Sequence, residues 1–122
     1  MALDLATRHT LGRLVAGLIT SDARIAPKEA TFFYRVVEQL GLDASFRETV
    51  VPLRDAEAAA EVIAAQSPAG QAEALRLLVE AACIDGQIQP QERAYLGAIG
   101  AALRISEEDL ERRIVARLIA PR

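Results

Sequence analysis
An internal repeat sets the strongest limit on what this chain folds into. A shift of 63 residues lays Arg13-Leu14 on Arg76-Leu77, Asp22 on Asp85, Ile25 on Ile88, Pro27 on Pro90 and Glu29 on Glu92. These are six identities across residues 13 to 29, where average composition gives about one. The same shift pairs Leu40 with Leu103, Leu42 with Ile105, and Asp43 with Ser106. A chain that repeats in this way builds two alike halves, and each can cover the apolar face of the other.

The spacing of apolar residues makes both halves helical. Leu11, Leu14, Val15, Leu18 and Ile19 recur at helical intervals, so residues 5–20 read as an amphipathic helix with Asp4 at its N-cap. Pro27 suits a first helical position, and Phe33, Val36, Val37 and Leu40 mark the inner face of a second helix that Gly41 ends. Asp43 caps a short third helix that runs to about Val51, where Pro52 disfavours further helical geometry. Asp55 opens an Ala-rich linking helix to Gln66. Ser67-Pro68 then starts a long fifth helix with Leu75, Leu78, Val79 and Ala82 inward, ending near Asp85-Gly86. Pro90 starts a sixth helix to Leu103, and Ser106 with Asp109 opens a seventh to Ile119. The fold expected is all-α: a bundle of about seven helices, with repeated halves over residues 5–51 and 68–119, in one domain spanning 1–122.

Composition agrees and removes several function classes. At 122 residues and 52% hydrophobic, the chain can bury roughly two thirds of its unfolded surface. Aromatics are only 4%, so Ala, Leu, Val and Ile must fill the core. No uncharged stretch is long enough to cross a membrane. The first ten residues lack a basic region followed by an apolar block, so no secretory signal is expected. A lone Cys83 suits a reducing compartment, and a cytoplasmic location is expected. Net charge of −3 supplies no general field for nucleic acid.

The repeated inter-helix loop, D-x-x-I-x-P-x-E, is the feature with chemical content. It reads Asp22-Ala-Arg-Ile25-Ala-Pro27-Lys-Glu29 in the first half and Asp85-Gly-Gln-Ile88-Gln-Pro90-Gln-Glu92 in the second. One reading is structural: Glu in the first helical turn meets the positive end of the helix dipole, Asp bonds turn amides, and Ile pins the loop to the core. The other is a hard-cation site, with Asp22, Glu29, Asp85 and Glu92 offering oxygens to Ca²⁺ or Mg²⁺. A full EF-hand loop does not fit, because Ala81 and Cys83 in one half, and Leu18 and Thr20 in the other, stand at its first ligand positions. A cation would need further carboxylates, and Glu80 is the nearest in sequence.

Other reactive residues read as structural. His9 has no ligand partner at metal spacing, and Cys83 lies in an apolar run with no cationic neighbour to lower its pKa. Gly97-x-x-Gly100 falls within a helix and suggests close packing. Arg112, Arg113 and Arg117 form a basic stripe that Glu108 and Asp109 partly neutralise. No nucleophile-base pair, phosphate loop or other catalytic signature is present, so the chain reads as no enzyme.

The run Ala82-Cys-Ile-Asp85-Gly86-Gln-Ile88-x-x-x-Glu92, followed by Leu96, Ile99, Leu103 and Ile105-Ser106, resembles the tellurite-resistance TerB family. That helical domain is shared with the N-terminal region of membrane-anchored DnaJ-like co-chaperones. The resemblance extends over most of the chain, with the first half more diverged and Ala23 in place of the motif Gly. It implies a bacterial, non-enzymatic bundle in stress-response systems, with metal bound through Asp85 and Glu92 and, through the repeat, Asp22 and Glu29. The expected partner is another protein, with peripheral contact to a membrane as a further setting. Tellurite itself finds no thiol cluster here. The alternative is an interaction domain whose carboxylates only cap helices.

Overall fold
Short polar side chains begin the helices where the sequence places them. In a computed structural model, which describes residues 3–21 and 26–119, Asp4 accepts a hydrogen bond from the Thr7 N–H at 2.8 Å and opens α1, Leu5–Ile19. The Glu57 N–H likewise donates to Asp55 ahead of α4, Ala56–Ala64. Ser67 caps α5, Pro68–Ala82, by accepting from Gly70. Proline starts both α2, Pro27–Gln39, and α6, Pro90–Ala102. Between them lies α3, a single turn over Phe46–Thr49, and the chain closes with α7, Glu107–Ile119. The described residues thus form seven helices and no strand, an all-α chain.

The core follows the apolar stripes. α1 and α5 pack along each other and bury Leu11, Leu14, Val15 and Leu18 against Ala74, Leu75, Leu77 and Leu78. α2 rests on α1 and α5, and α6 rests on α5, α1 and α4. Each Leu in this layer is fully or almost fully excluded from water, so truncating one to Ala costs about 2–5 kcal/mol. One register differs from expectation. Phe32, not Phe33, is the buried phenylalanine of α2, while Phe33 is half-buried beside a surface cleft. The linking helix also does more than connect: Ala59 and Ile63 of α4 are fully buried and pack against α6.

Gly97 and Gly100 differ in what they touch. A Cβ on Gly100 would contact Leu110 at 3.3 Å, so this glycine brings α7 close. Gly97 faces open space and serves no packing contact.

Two helix ends share a geometry 63 residues apart. After α2, Gly41 takes φ +67° and the Leu42 N–H bonds back to the Val37 carbonyl. After α6, Arg104 takes φ +60° and the Ile105 N–H bonds to Gly100. A side chain in this left-handed region is strained, and glycine is the residue that suits it. Arg104→Gly should therefore stabilise the fold by about 0.5–1 kcal/mol; urea unfolding at neutral pH measures it, and a loss of stability would contradict the account.

Candidate functional site
The acidic loops are first in order because the sequence singles them out. Glu29 and Glu92 are the two buried charged residues among those described, at 4% and 3% exposure. Each reaches back to its own helix start. Glu29 Oε1 accepts from the Ala26 N–H at 2.9 Å, and Glu92 Oε1 from the Gln89 N–H at 3.1 Å. An anionic group here satisfies an amide that the helix leaves unpaired and meets the positive end of the dipole.

Asp85 has a different setting. It is exposed in the turn after α5, where Gly86 adopts φ +82° and so explains the motif glycine by backbone geometry. Asp22 lies outside the described residues, as do Ala23 and Ile25. Among the described residues no three His, Cys, Asp or Glu side chains come together as a group able to hold a metal ion. Glu80, the nearest extra acid in sequence, faces arginines instead, with Arg117 at 2.9 Å and Arg76 at 3.7 Å.

The remaining reactive side chains have structural surroundings. Cys83 is buried, with its sulfur 3.8 Å from the Ile114 carbonyl. His9 is exposed and stands edge-on to the Phe46 ring at 5.2 Å. On α7, Asp109 holds both Arg112 at 3.0 Å and Arg113 at 3.5 Å, so the basic stripe is largely neutralised. Arg93 pairs with Glu111 at 2.6 Å across α6 and α7.

A second feature, not visible in the motifs, is a cleft of about 230 Å³ between α1, α2 and the segment that follows α3. Its walls are Ala16, Ile19, Ala30, Phe33, Val50 and Pro52. At the rim, Tyr34 is half exposed and carries the Arg47 guanidinium over its ring at 4.5 Å, a favourable cation–π contact. Arg54 donates to Thr20 Oγ1 at 3.1 Å, and Thr20 in turn donates to the Ala16 carbonyl at 2.8 Å. Val51, between the wall residues Val50 and Pro52, is 66% exposed.

The rim is held rigidly by one crossing. The chain at Leu53 lies so close over α1 that a Cβ on Gly17 would collide with the Leu53 carbonyl oxygen. From beneath, the Tyr95 hydroxyl donates to that same carbonyl at 2.7 Å, with Leu14 O also within reach at 3.3 Å. Leu53 N–H donates to the Arg13 carbonyl at 3.1 Å, and Arg13 Nε donates to Val51 O at 2.9 Å. Tyr95 is 1% exposed, and burial raises its pKa well above the ordinary phenol range. The signal for this site in the sequence was slight: two glycines inside α1 and one Tyr on α6, with nothing to pair them.

No family model, curated protein or solved structure matches this chain.

Two variants test the crossing. Gly17→Ala should cost about 1–3 kcal/mol, because the obstacle is backbone and cannot rotate away. Tyr95→Phe should cost about 1–2 kcal/mol at pH 8 through the lost donor. Because folding raises the Tyr95 pKa above its ordinary value of 10.0, its contribution is full below pH 10 and falls as pH rises further. Stability of the native chain should accordingly drop faster than that of Tyr95→Phe above pH 10, narrowing the gap measured by urea unfolding; parallel curves would remove the buried-phenol account.

Proposed function
We propose that the chain is a non-enzymatic, TerB-like binding module of a stress-response assembly, made of two repeated three-helix halves, whose inter-helix carboxylates secure helix ends while its surface engages another protein. The observation that carries this reading is the recurrence of one local device at the repeat spacing. Glu29 and Glu92 stand 63 residues apart, both buried, and each accepts from the amide three residues before it. α5 and α6 begin and end 63 residues after α1 and α2. The packing exchanges in the same sense: α2 rests on α1 and α5, as α6 rests on α5 and α1. A carboxylate that is buried and committed to an amide is suited to holding a helix start and poorly suited to exchanging an ion with water.

A stress-response role and a tellurite-resistance setting belong to the same proposal and rest on the sequence resemblance, while a cytoplasmic place rests on the lone Cys83. No described helix is long and apolar enough to cross a membrane.

Thermal unfolding separates this reading from an ion-binding one. After treatment with EDTA, addition of millimolar Mg²⁺, Ca²⁺, Mn²⁺ or Zn²⁺ should leave the midpoint unchanged to within about one degree. A specific site filled to 100 times its Kd would add about 2.7 kcal/mol and raise the midpoint by several degrees. Such a rise, lost in Asp85→Asn, would replace the capping reading with the ion site at Asp22, Glu29, Asp85 and Glu92.

A further inference from the structure
We propose that the cleft between α1, α2 and the α3–α4 connection docks an acidic segment of a partner protein, which inserts one large apolar side chain and sets its carboxylates on Arg47 and Arg54. The inference deepens the binding-module reading and rests on it.

The repeat itself indicates what the cleft is shaped to take. Shifted by 63 residues, the cleft residue Thr20 becomes Cys83 and Phe33 becomes Leu96. At these two positions the second half is covered: Leu96 is fully buried, and Cys83 lies against Ile114 of α7. The thirteen residues of α7 bury Leu110 and Ile114 there. Its counterpart α3 has four residues and ends at Thr49, shortly before Pro52. α3 buries one side chain, Phe46, beside Phe33, where α7 buries Leu110 and Ile114, and the cleft remains. An inserted side chain would take the part that Ile114 plays within the chain.

Size and charge narrow the occupant. About 230 Å³ is below the range of ordinary small-molecule and cofactor sites and suits a single bulky side chain. Arg13, Arg47 and Arg54 bond only to backbone carbonyls, a hydroxyl or the Tyr34 ring. Among the described residues none of the three has a carboxylate within ion-pair distance, whereas Arg76, Arg93, Arg112, Arg113 and Arg117 all do. Of the acids nearest in sequence, Asp43 accepts from the Ser45 amide, Asp55 accepts from the Glu57 amide, and the exposed Glu48 forms no ion pair with a described arginine. On a chain of net charge −3, this rim is a local positive site that an acidic segment complements. Tyr and Arg beside an apolar pocket are also the residue types that dominate binding energy at interfaces. Because the Gly17, Tyr95 and Leu53 crossing fixes the rim beforehand, little ordering cost attaches to docking.

The larger groove between α5 and α7, about 400 Å³, is the contrasting case. Its arginines Arg76, Arg113 and Arg117 are each paired with Glu73, Glu80 or Asp109, so it offers no comparable attraction for an acidic ligand.

The test is an amide chemical-shift titration of the full chain with synthetic peptides. The probes are Glu-Glu-Phe-Glu-Glu, the same peptide with Ala for Phe, and Lys-Lys-Phe-Lys-Lys, each capped at both ends. The Phe acidic peptide should saturate, shifting residues 16–20, 30–34 and 47–54, with at least tenfold weaker binding of the other two. Arg47→Glu with Arg54→Glu should weaken it at least tenfold, and Ala30→Leu, which fills the cleft from its half-buried wall, should do the same with the chain still folded by its unfolding transition. Arg76→Glu with Arg113→Glu should bind as the parent chain does. Shifts centred on α5 and α7, equal binding of the Ala peptide, or no localised shift would overturn the proposal. So would retention on phosphatidylglycerol vesicles, abolished by the Arg47 and Arg54 substitutions, together with peptide indifference; the rim would then be a lipid contact. Failure here with an ion-independent midpoint removes this cleft while leaving the binding-module reading in place. An ion-dependent midpoint removes that reading itself.

Discussion

The burial of α1 against α5 is the contact on which the rest of the molecule is assembled. Each helix is hydrophobic over much of its length and buries a wide face, so neither can stand in water alone. Laid side by side, they create a two-sided layer that needs covering at both edges. α2 and α6 perform that role, each touching both central helices. The core is built almost wholly from aliphatic side chains, in line with a composition of 4% aromatics. Few residues can anchor such a core by a specific polar contact, and this gives Tyr95 disproportionate weight. It is a large, fully buried side chain whose hydroxyl ties α6 to Leu14 and to the segment crossing above α1.

A departure from symmetry distinguishes the two halves of the sequence repeat. Both begin with a fifteen-residue helix followed by a thirteen-residue helix. They diverge afterwards, because Pro52 interrupts one half where the other continues into α7. Extended chain then replaces helix, and only a glycine at position 17 permits the backbone of Leu53 to approach so closely. The result is an apolar cleft with unpaired arginines at its rim on one half and a groove whose arginines are paired with acids on the other. Electrostatics follow the same division. Arginines of α5, α6 and α7 are matched by acids on their own or a neighbouring helix, while Arg8, Arg13 and Arg47 donate to backbone carbonyls and Arg54 to the Thr20 hydroxyl.

Much of the fold was legible because helices advertise their ends. Asp4, Asp55, Ser67 and Ser106 are short acceptors ahead of apolar periodicity, and each accepts an amide at its helix start. Pro27 and Pro90 sit at first helical positions for a reason local to their rings. Where expectation slipped, tertiary packing was the cause. Phe32 and Phe33 are adjacent and both fit the stripe within a residue, so only the neighbouring helices decide which is buried. The acidic loop was legible as a pattern, yet its meaning depends on depth. Glu29 and Glu92 are buried against their own amides and Asp85 is not, a difference that spacing cannot carry.

By itself, the sequence determined the helical class, the starts of all the helices but α3, and the matched lengths of the first two helices with α5 and α6, since these follow from periodicity, capping and proline geometry within a few residues of chain. α3 begins at Phe46 behind Ser45 and not behind Asp43. Tertiary structure alone decided that Gly17, Leu53 and Tyr95 meet, and that Arg47 and Arg54 flank one cleft. Those residues lie far apart in the chain, and no local preference links them. Their meeting follows from the packing of α1, α4 and α6 around a shared core, a collective property that emerges only when all the apolar faces are buried together.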